Sequence, residues 1–347
     1  MMNEVQHKIF MARCLDLAKK GQRAVAPNPM VGSVLVWDGK IIGEGFHRRY
    51  GEPHAEVNCI DDALQNASEL IRLSTLYVSL EPCAHFGKTP PCTELIIEHQ
   101  IRKVVIACRD SFAEVNGKGV ERLMNAGIEV TENVLSEQAI ELNKRFFTYH
   151  NFKRPYVVLK WAQTADGYMA YRDEKRLLIS NEITNRLVHK WRSEESAILI
   201  GANTAIADDP LLDNRHWFGK APVKIIIDPD LKCNEEIRLF QTGSKVIVAN
   251  RQIQSNGERV NYLKVDKENL LPDLLKQLHA QNIQSVFVEG GRQTLQFFID
   301  AGLWDEARVI TNTALVGGAG LISPVLINAQ KVNEQFLLND RVQFFKN

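Results

Sequence analysis

A chain of 347 residues is long enough for two domains with separate cores. Its 42 Lys and Arg residues balance 42 Asp and Glu residues, so no global basic field recruits nucleic acid or an anionic membrane. A hydrophobic share of 45% is ordinary globular composition, and no apolar run approaches a membrane span. The opening Met1-Met2-Asn3-Glu4 has no signal or transit pattern, so a soluble cytoplasmic protein is expected.

Residues 7–20 have helical spacing, with Ile9, Phe10, Cys14, Leu17 and Ala18 on one side. Residues 31–37 and 41–47 read as strands joined by Asp38-Gly39, a tight-hairpin dipeptide. His54-Ala55-Glu56 opens a helix, and a strand at 76–80 runs into Glu81-Pro82-Cys83. A helix at 92–99, a strand at 104–108 and a helix near 120–126 ended by Gly127 follow. Strands interleaved with helices in this way predict an α/β/α layered sheet. Near residues 146–155 the chain changes character, and Tyr156-Val157-Val158-Leu159-Lys160-Trp161-Ala162 starts a second α/β series. Domains are therefore expected at 1–150 and 151–347, without a long linker or a repeat.

His54 and the proline-preceded Cys83 and Cys92 form the most informative pattern. One His and two Cys hold Zn²⁺ by three protein ligands and leave the fourth position to water. Zinc lowers the pKa of that water from about 16 to roughly 7. Glu56, two residues past the His, is too near to join the same metal easily, but it can carry a proton from water to a departing amine. This is the ligand set of zinc nucleobase deaminases. A proline before each Cys suits a helix start, where the positive dipole end favours a thiolate.

Other readings stand beside this one. Cys14, Cys59, Cys108 and Cys233 lie in apolar or helical text and read as buried apolar residues. A Cys83–Cys92 disulfide conflicts with a reducing compartment. A structural zinc would need a fourth ligand, which His85 or Cys59 could supply, but it has no use for a proton carrier such as Glu56.

The longer text resembles the bifunctional riboflavin-biosynthesis deaminase/reductase family. The matching blocks are Pro27-Asn28-Pro29-Met30-Val31-Gly32, Gly43-Glu44-Gly45-Phe46-His47, Gly51-Glu52-Pro53-His54-Ala55-Glu56 and Leu80-Glu81-Pro82-Cys83-Ala84-His85-Phe86-Gly87-Lys88-Thr89-Pro90-Pro91-Cys92. Other cytidine and adenosine deaminases usually separate their two Cys ligands by two residues, whereas eight intervene here. The resemblance implies a cytidine-deaminase-like zinc domain with His54, Cys83 and Cys92 on one Zn²⁺ and Glu56 as proton shuttle. It further implies that Asn28 contacts a pyrimidine and that His85, Lys88 and Thr89 line that site. An amide offers a donor and an acceptor to a base edge, and a lysine offers a point charge to a phosphate. His47 closes one of the matching blocks and could also be a plain surface histidine at a strand end.

In the second half, Lys160-Trp161-Ala162-Gln163-Thr164-Ala165-Asp166-Gly167, Ala197-Ile198-Leu199-Ile200-Gly201-Ala202-Asn203-Thr204, Asp208-Asp209-Pro210-Leu211-Leu212 and Val286-Phe287-Val288-Glu289-Gly290-Gly291 match the same family's reductase domain, which is dihydrofolate-reductase-like. No G-x-G-x-x-G fingerprint is present, so a Rossmann domain is not expected. The family pattern implies NADPH near Ala162, Leu178, Thr204, Asp208 and Gly291. It implies substrate near Arg176, Arg192, Leu212, Arg215 and Glu289, with the two later arginines suited to a sugar phosphate. One departure stands out: Arg176 and Leu178 occupy positions where the family has a substrate-contacting Ser and a cofactor-contacting Trp.

The expected activity is deamination of 2,5-diamino-6-ribosylamino-pyrimidinone 5′-phosphate, followed by NADPH reduction of its ribosylamino sugar to a ribitylamino chain. The expected partners are that small molecule and a second copy of the chain, with no nucleic acid and no membrane. A zinc nucleoside deaminase with a non-catalytic second domain is the alternative, and a metal-stabilised binding protein with two relic sites is another.

Overall fold

The structure, a computed structural model, describes residues 3–86, 90–110, 116–171, 177–234 and 236–347. The chain divides into two units, Met1–Phe152 and Lys153–Asn347. Among the described residues, no helix is long and apolar enough to cross a membrane.

In the first unit, helix α1 (Glu4–Lys19) starts earlier than its apolar spacing predicts, because Asn3 and Gln6 form a reciprocal capping box. Ile9 was grouped with the apolar side but is exposed, while Met11 and Leu15 are buried instead. Strands β1 (Gly32–Trp37) and β2 (Lys40–Phe46) form the hairpin, with Asp38 and Gly39 both at positive φ. Next come α2 (Ala55–Asn66), a 3-10 segment (Ser68–Leu73), β3 (Thr75–Val78), α3 (Cys92–Glu98), β4 (Lys103–Ile106) and α4 (Lys118–Asn125). β5 (Glu129–Thr131), α5 (Ser136–Leu142) and α6 (Lys144–Phe152) close the unit.

The sheet order is β2-β1-β3-β4-β5, antiparallel through β2, β1 and β3 and parallel from β3 to β5. Strand alternation sends Val34, Val36, Tyr77 and Val105 toward α1 and α5. Leu35, Leu76, Val78, Val104 and Ile106 turn toward α2, α3 and α4. The predicted α/β/α layering is thus present. Gly45 explains how α2 reaches the sheet: a Cβ there would lie 2.3 Å from the Cys59 nitrogen and 2.4 Å from the Ala55 carbonyl. Truncating Ile60, fully buried on α2, to Ala would cost about 2–5 kcal/mol.

The second unit runs β6 (Tyr156–Thr164), β7 (Tyr168–Tyr171), α7 (Glu182–Glu194), β8 (Ala197–Gly201), α8 (Ala202–Asp208), β9 (Val223–Ile227), α9 (Arg238–Gln241) and β10 (Val246–Asn250). It continues through β11 (Ser255–Asn256), β12 (Val260–Lys264), α10 (Leu270–Ala280), β13 (Ser285–Gly290), α11 (Arg292–Asp300), β14 (Glu306–Asn312), β15 (Gly320–Ile322), β16 (Gln330–Leu337) and β17 (Asp340–Lys346). Among the described residues ten strands form one sheet, in the order β11-β12-β10-β9-β8-β13-β6-β14-β17-β16. From β12 to β14 the strands are parallel, and β13 inserts between β8 and β6. The strand order therefore reverses at β8-β13-β6, and open α/β sheets bind ligands at such switch points, outside the carboxyl ends of the strands.

Candidate active sites

In the first unit, two helix N-termini and one loop converge. His54 is the N-cap of α2, and Cys92 is the first residue of α3, as its preceding proline predicts. Cys83 departs from that expectation: it lies in the loop after β3, not at a helix start. Its place is set by α3, whose Thr93 amide and hydroxyl both donate to the Cys83 carbonyl at 3.2 Å. The His54 Nδ1 lies 3.3 Å from Cys92 Sγ and 3.6 Å from Cys83 Sγ. All three donor atoms fall within 4.8 Å of one another. A tetrahedral zinc with its usual Zn–N and Zn–S bond lengths spaces such donors by roughly 3.6 Å, so the cage fits the ion. Hydrogen bonds from Cys92 and His54 pull the Cys83 thiol well below its ordinary range, which favours the thiolate a metal needs.

Glu56 sits in the first turn of α2, 3% exposed, and burial pushes its carboxyl up to about 7. A carboxyl poised near neutrality beside the cage suits proton transfer. Neither proposed fourth ligand joins: Cys59 is fully buried with its thiol donating to the Gly43 carbonyl, and His85 lies outside the donor cluster. Cys14 and Cys108 are likewise buried, but Cys233 is only half-buried.

Asn28 is half-buried and its amide nitrogen is 3.2 Å from His47 Nε2. His47 is 2% exposed, so the surface reading of that residue was wrong. Its Nδ1 donates to the Pro53 carbonyl at 3.1 Å, which leaves Nε2 as the acceptor for Asn28 and fixes the amide's orientation. The alternation of β2 carried the signal, because His47 continues the inward series Gly43, Gly45. Lys88 and Thr89 lie outside the described residues.

In the second unit, Glu289 near the end of β13 takes both prongs of Arg192 at 2.7 Å, and Arg192 also donates to the Asp213 carbonyl at 2.9 Å. Burial alone would raise the Glu289 carboxyl, but Arg192 and Lys160 hold it down at about 2. Lys160 on β6 belongs to this cluster, and burial lowers its own pKa. The sequence carried a sign of it, a lone lysine inside an apolar strand. Arg215 is exposed and pairs with Asp213 at 2.7 Å, and Leu212 is buried with positive φ. Gly291 caps α11, and a Cβ on it would lie 2.7 Å from the Thr204 hydroxyl of α8, so the two helix starts meet at the strand-order reversal. Ala162 is half-buried on β6, Asp208 ends α8 exposed, and Leu178 is 76% exposed. Arg176 lies outside the described residues.

Two family profiles match the chain: the cytidine and deoxycytidylate deaminase zinc-binding region over residues 4–108, and the RibD C-terminal domain over residues 155–339. The riboflavin biosynthesis protein RibD of Aquifex aeolicus is 40% identical, covering 100% of this chain and 99% of that one. The Escherichia coli protein of that name is 35% identical over 90% of this chain and 89% of its own length. A Thermotoga maritima crystal structure described as a diaminohydroxyphosphoribosylaminopyrimidine deaminase/5-amino-6-(5-phosphoribosylamino)uracil reductase superposes with a TM-score of 0.91 at 37% identity, covering 99% of both chains. Acinetobacter baumannii RibD gives 0.89 at 32% identity, again over 99% of both. With a cytidine-deaminase-like unit followed by a dihydrofolate-reductase-like unit, the chain belongs to the bifunctional riboflavin-biosynthesis deaminase/reductase family.

Proposed function

We propose that the first unit deaminates the diaminopyrimidinone ribosyl phosphate and that the second reduces the ribosylamino sugar of the product. The observation that carries this reading is the His54, Cys83, Cys92 cage with buried Glu56 beside it, on a chain of a zinc- and NADPH-dependent family. When bound, zinc supplies a water acidic enough to attack at neutral pH. Glu56 takes a proton from the attacking water and delivers it to the departing amino nitrogen. Asn28, oriented by His47, reads the pyrimidine edge, and His85, Lys88 and Thr89 complete that pocket.

In the second unit, Arg176, Arg192, Leu212, Arg215 and Glu289 line the substrate site, with Arg192 and Arg215 suited to its phosphate, while Ala162, Leu178, Thr204, Asp208 and Gly291 face the cofactor. The reversal at β8-β13-β6 and the close Gly291–Thr204 approach support the cofactor placement. Bound NADPH would supply a hydride for C1′ of the ring-opened imine form, whose nitrogen then takes a proton, and positioning of the nicotinamide against C1′ would do most of the catalysis. Asp208 assists proton traffic there; full reduction by Asp208→Asn would dispose of that role.

The functional division follows at 1–150 and 151–347, close to the break between the two units. A homodimer through the reductase half is part of the reading, supported by exposed Leu321, Ile322, Val325, Val332 and Phe336 around β15 and β16. A monomer in sedimentation at micromolar concentration would contradict it. The cytoplasm is the matching compartment, since its reducing poise keeps Cys83 and Cys92 as thiols.

Mass spectrometry of the diaminopyrimidinone ribosyl phosphate incubated with pure enzyme tests both steps. Exchange of an amino for a hydroxyl group without NADPH, and gain of two hydrogens with it, are expected. No change with zinc-loaded enzyme would overturn the substrate assignment.

A further inference from the structure

Glu81 carries no role in the chemistry above, yet it makes one of the most heavily used buried contacts in the first unit. Its side chain is 4% exposed and accepts four backbone N–H groups from residues 29 to 39 positions further along the chain. Oε1 takes the amides of Gly119 at 2.9 Å and Val120 at 3.1 Å. Oε2 takes those of Gly117 at 3.0 Å and Asp110 at 3.2 Å.

Three of those amides, from Gly117, Gly119 and Val120, are the donors at the start of α4 that lack an intrahelical partner, and its N-cap, Gly117, has no side chain to cap them; the fourth, from Asp110, belongs to the segment after β4. Glu81 therefore caps α4 from a distant part of the sequence, with a carboxylate at the positive end of the helix. The contact is close as well as polar. A Cβ on Gly119 would lie 2.0 Å from the Pro82 carbonyl, so α4 rests directly on the residue that precedes Cys83. Upstream, the Glu81 amide donates to the Cys108 carbonyl at 3.0 Å and continues the β3–β4 pairing. Downstream, α3 holds the Cys83 carbonyl through Thr93. The Cys83 sulfur is thus aimed by a backbone pinned on both sides, and Glu81 is the upstream pin.

We propose that Glu81 is a positioning residue for the metal centre: by tying Pro82-Cys83 to the start of α4, it sets the place of the Cys83 sulfur relative to His54 and Cys92. This rests on the reading of those three residues as the zinc ligands. Supporting groups behind metal ligands typically change metal affinity by about 10–100-fold when altered. Glu81→Gln is the informative substitution, because its NH₂ group must face two of the four amides whichever way the side chain turns.

Cobalt(II) binding to the full chain, followed by the thiolate-to-cobalt charge-transfer band and by zinc competition, reads the metal geometry directly. The wild type should show the band, and Glu81→Gln should bind about 10–100-fold more weakly with a shifted band. A Glu81→Gln protein with native affinity and band would overturn the proposal, even if its melting temperature fell. A wild type without the band would remove the ligand reading, and this proposal with it. Should the variant fail to fold, hydrogen exchange of the wild type with and without zinc decides the matter. Coupling through Glu81 is reciprocal, so zinc should slow exchange of the Asp110, Gly117, Gly119 and Val120 amides. Equal exchange at those amides in both forms would overturn it.

Discussion

The two sites manage charge in opposite ways. In the first unit, two thiols and an imidazole bring three donor atoms within 4.8 Å of one another, with a buried carboxyl beside them. In the second, Arg192 and Glu289 neutralise each other through two bonds of 2.7 Å, with Lys160 alongside. The first site is completed by an ion from outside, and the second by pairing within the protein. Chemistry in the first should therefore follow the metal, whereas integrity of the second should follow pH and the partners of one carboxylate.

The sharpest way to break this contrast is metal removal. A chelator should abolish ammonia release while NADPH-dependent reduction of the already deaminated pyrimidine stays unchanged; parallel loss of both would erase the distinction. Glu56→Gln comes next, with deamination expected to slow by about a thousandfold and reduction again untouched. Zinc content measured on the same sample separates a lost proton carrier from a lost metal.

Within the second unit, Glu289→Gln leaves Arg192 buried without its partner and should destabilise the unit by about 3–5 kcal/mol in urea unfolding. A loss under about 1 kcal/mol would mean the pair behaves like a solvent-screened one. The pH dependence has a definite sign. The Glu289 carboxyl is held near 2 in the folded state, against an ordinary value of 4.5. Its contribution, about 3 kcal/mol, is fully present above pH 4.5 and is lost as pH falls from there toward 2. Glu289→Gln should flatten the stability curve in that window. The smallest expected effect is that of Leu178→Ala, since an exposed side chain rarely matters by more than about 0.5 kcal/mol; a change in the KM for NADPH beyond about threefold would show that Leu178 meets the cofactor.

Legibility in the sequence follows the same divide. The cage was readable because His54, Cys83 and Cys92 sit within one short stretch and draw on residue types that few other purposes demand. Even there, Cys83 could not be placed in a loop from its preceding proline, since a proline suits loops as well as helix starts. The surface reading of His47 fails because its ring is enclosed by Asn28, the Pro53 carbonyl and His54, contacts that residue type at a strand end does not announce. In the second unit, Arg192 and Glu289 stand 97 positions apart, so their pairing exists only once the strand order is known. The insertion of β13 between β8 and β6 is equally invisible to local periodicity, because parallel strands look alike wherever they pair. Glu81 is the extreme case: a glutamate before Pro-Cys gives no local sign that four distant amides will meet it.

The central claim, two reactions carried by two separate sites on one chain, is tested most directly by labelling one product twice. The diaminopyrimidinone ribosyl phosphate would be converted in heavy-oxygen water with NADPH deuterated at its transferable hydrogen, and the product examined by mass spectrometry. The account predicts one heavy oxygen on the ring and one deuterium on the sugar carbon, with Glu56→Gln failing to process the diamino compound while still placing deuterium on the pre-deaminated one. A ring that takes up heavy oxygen beside a sugar that never gains deuterium would contradict the account for the second unit, and an unlabelled ring would contradict it for the first.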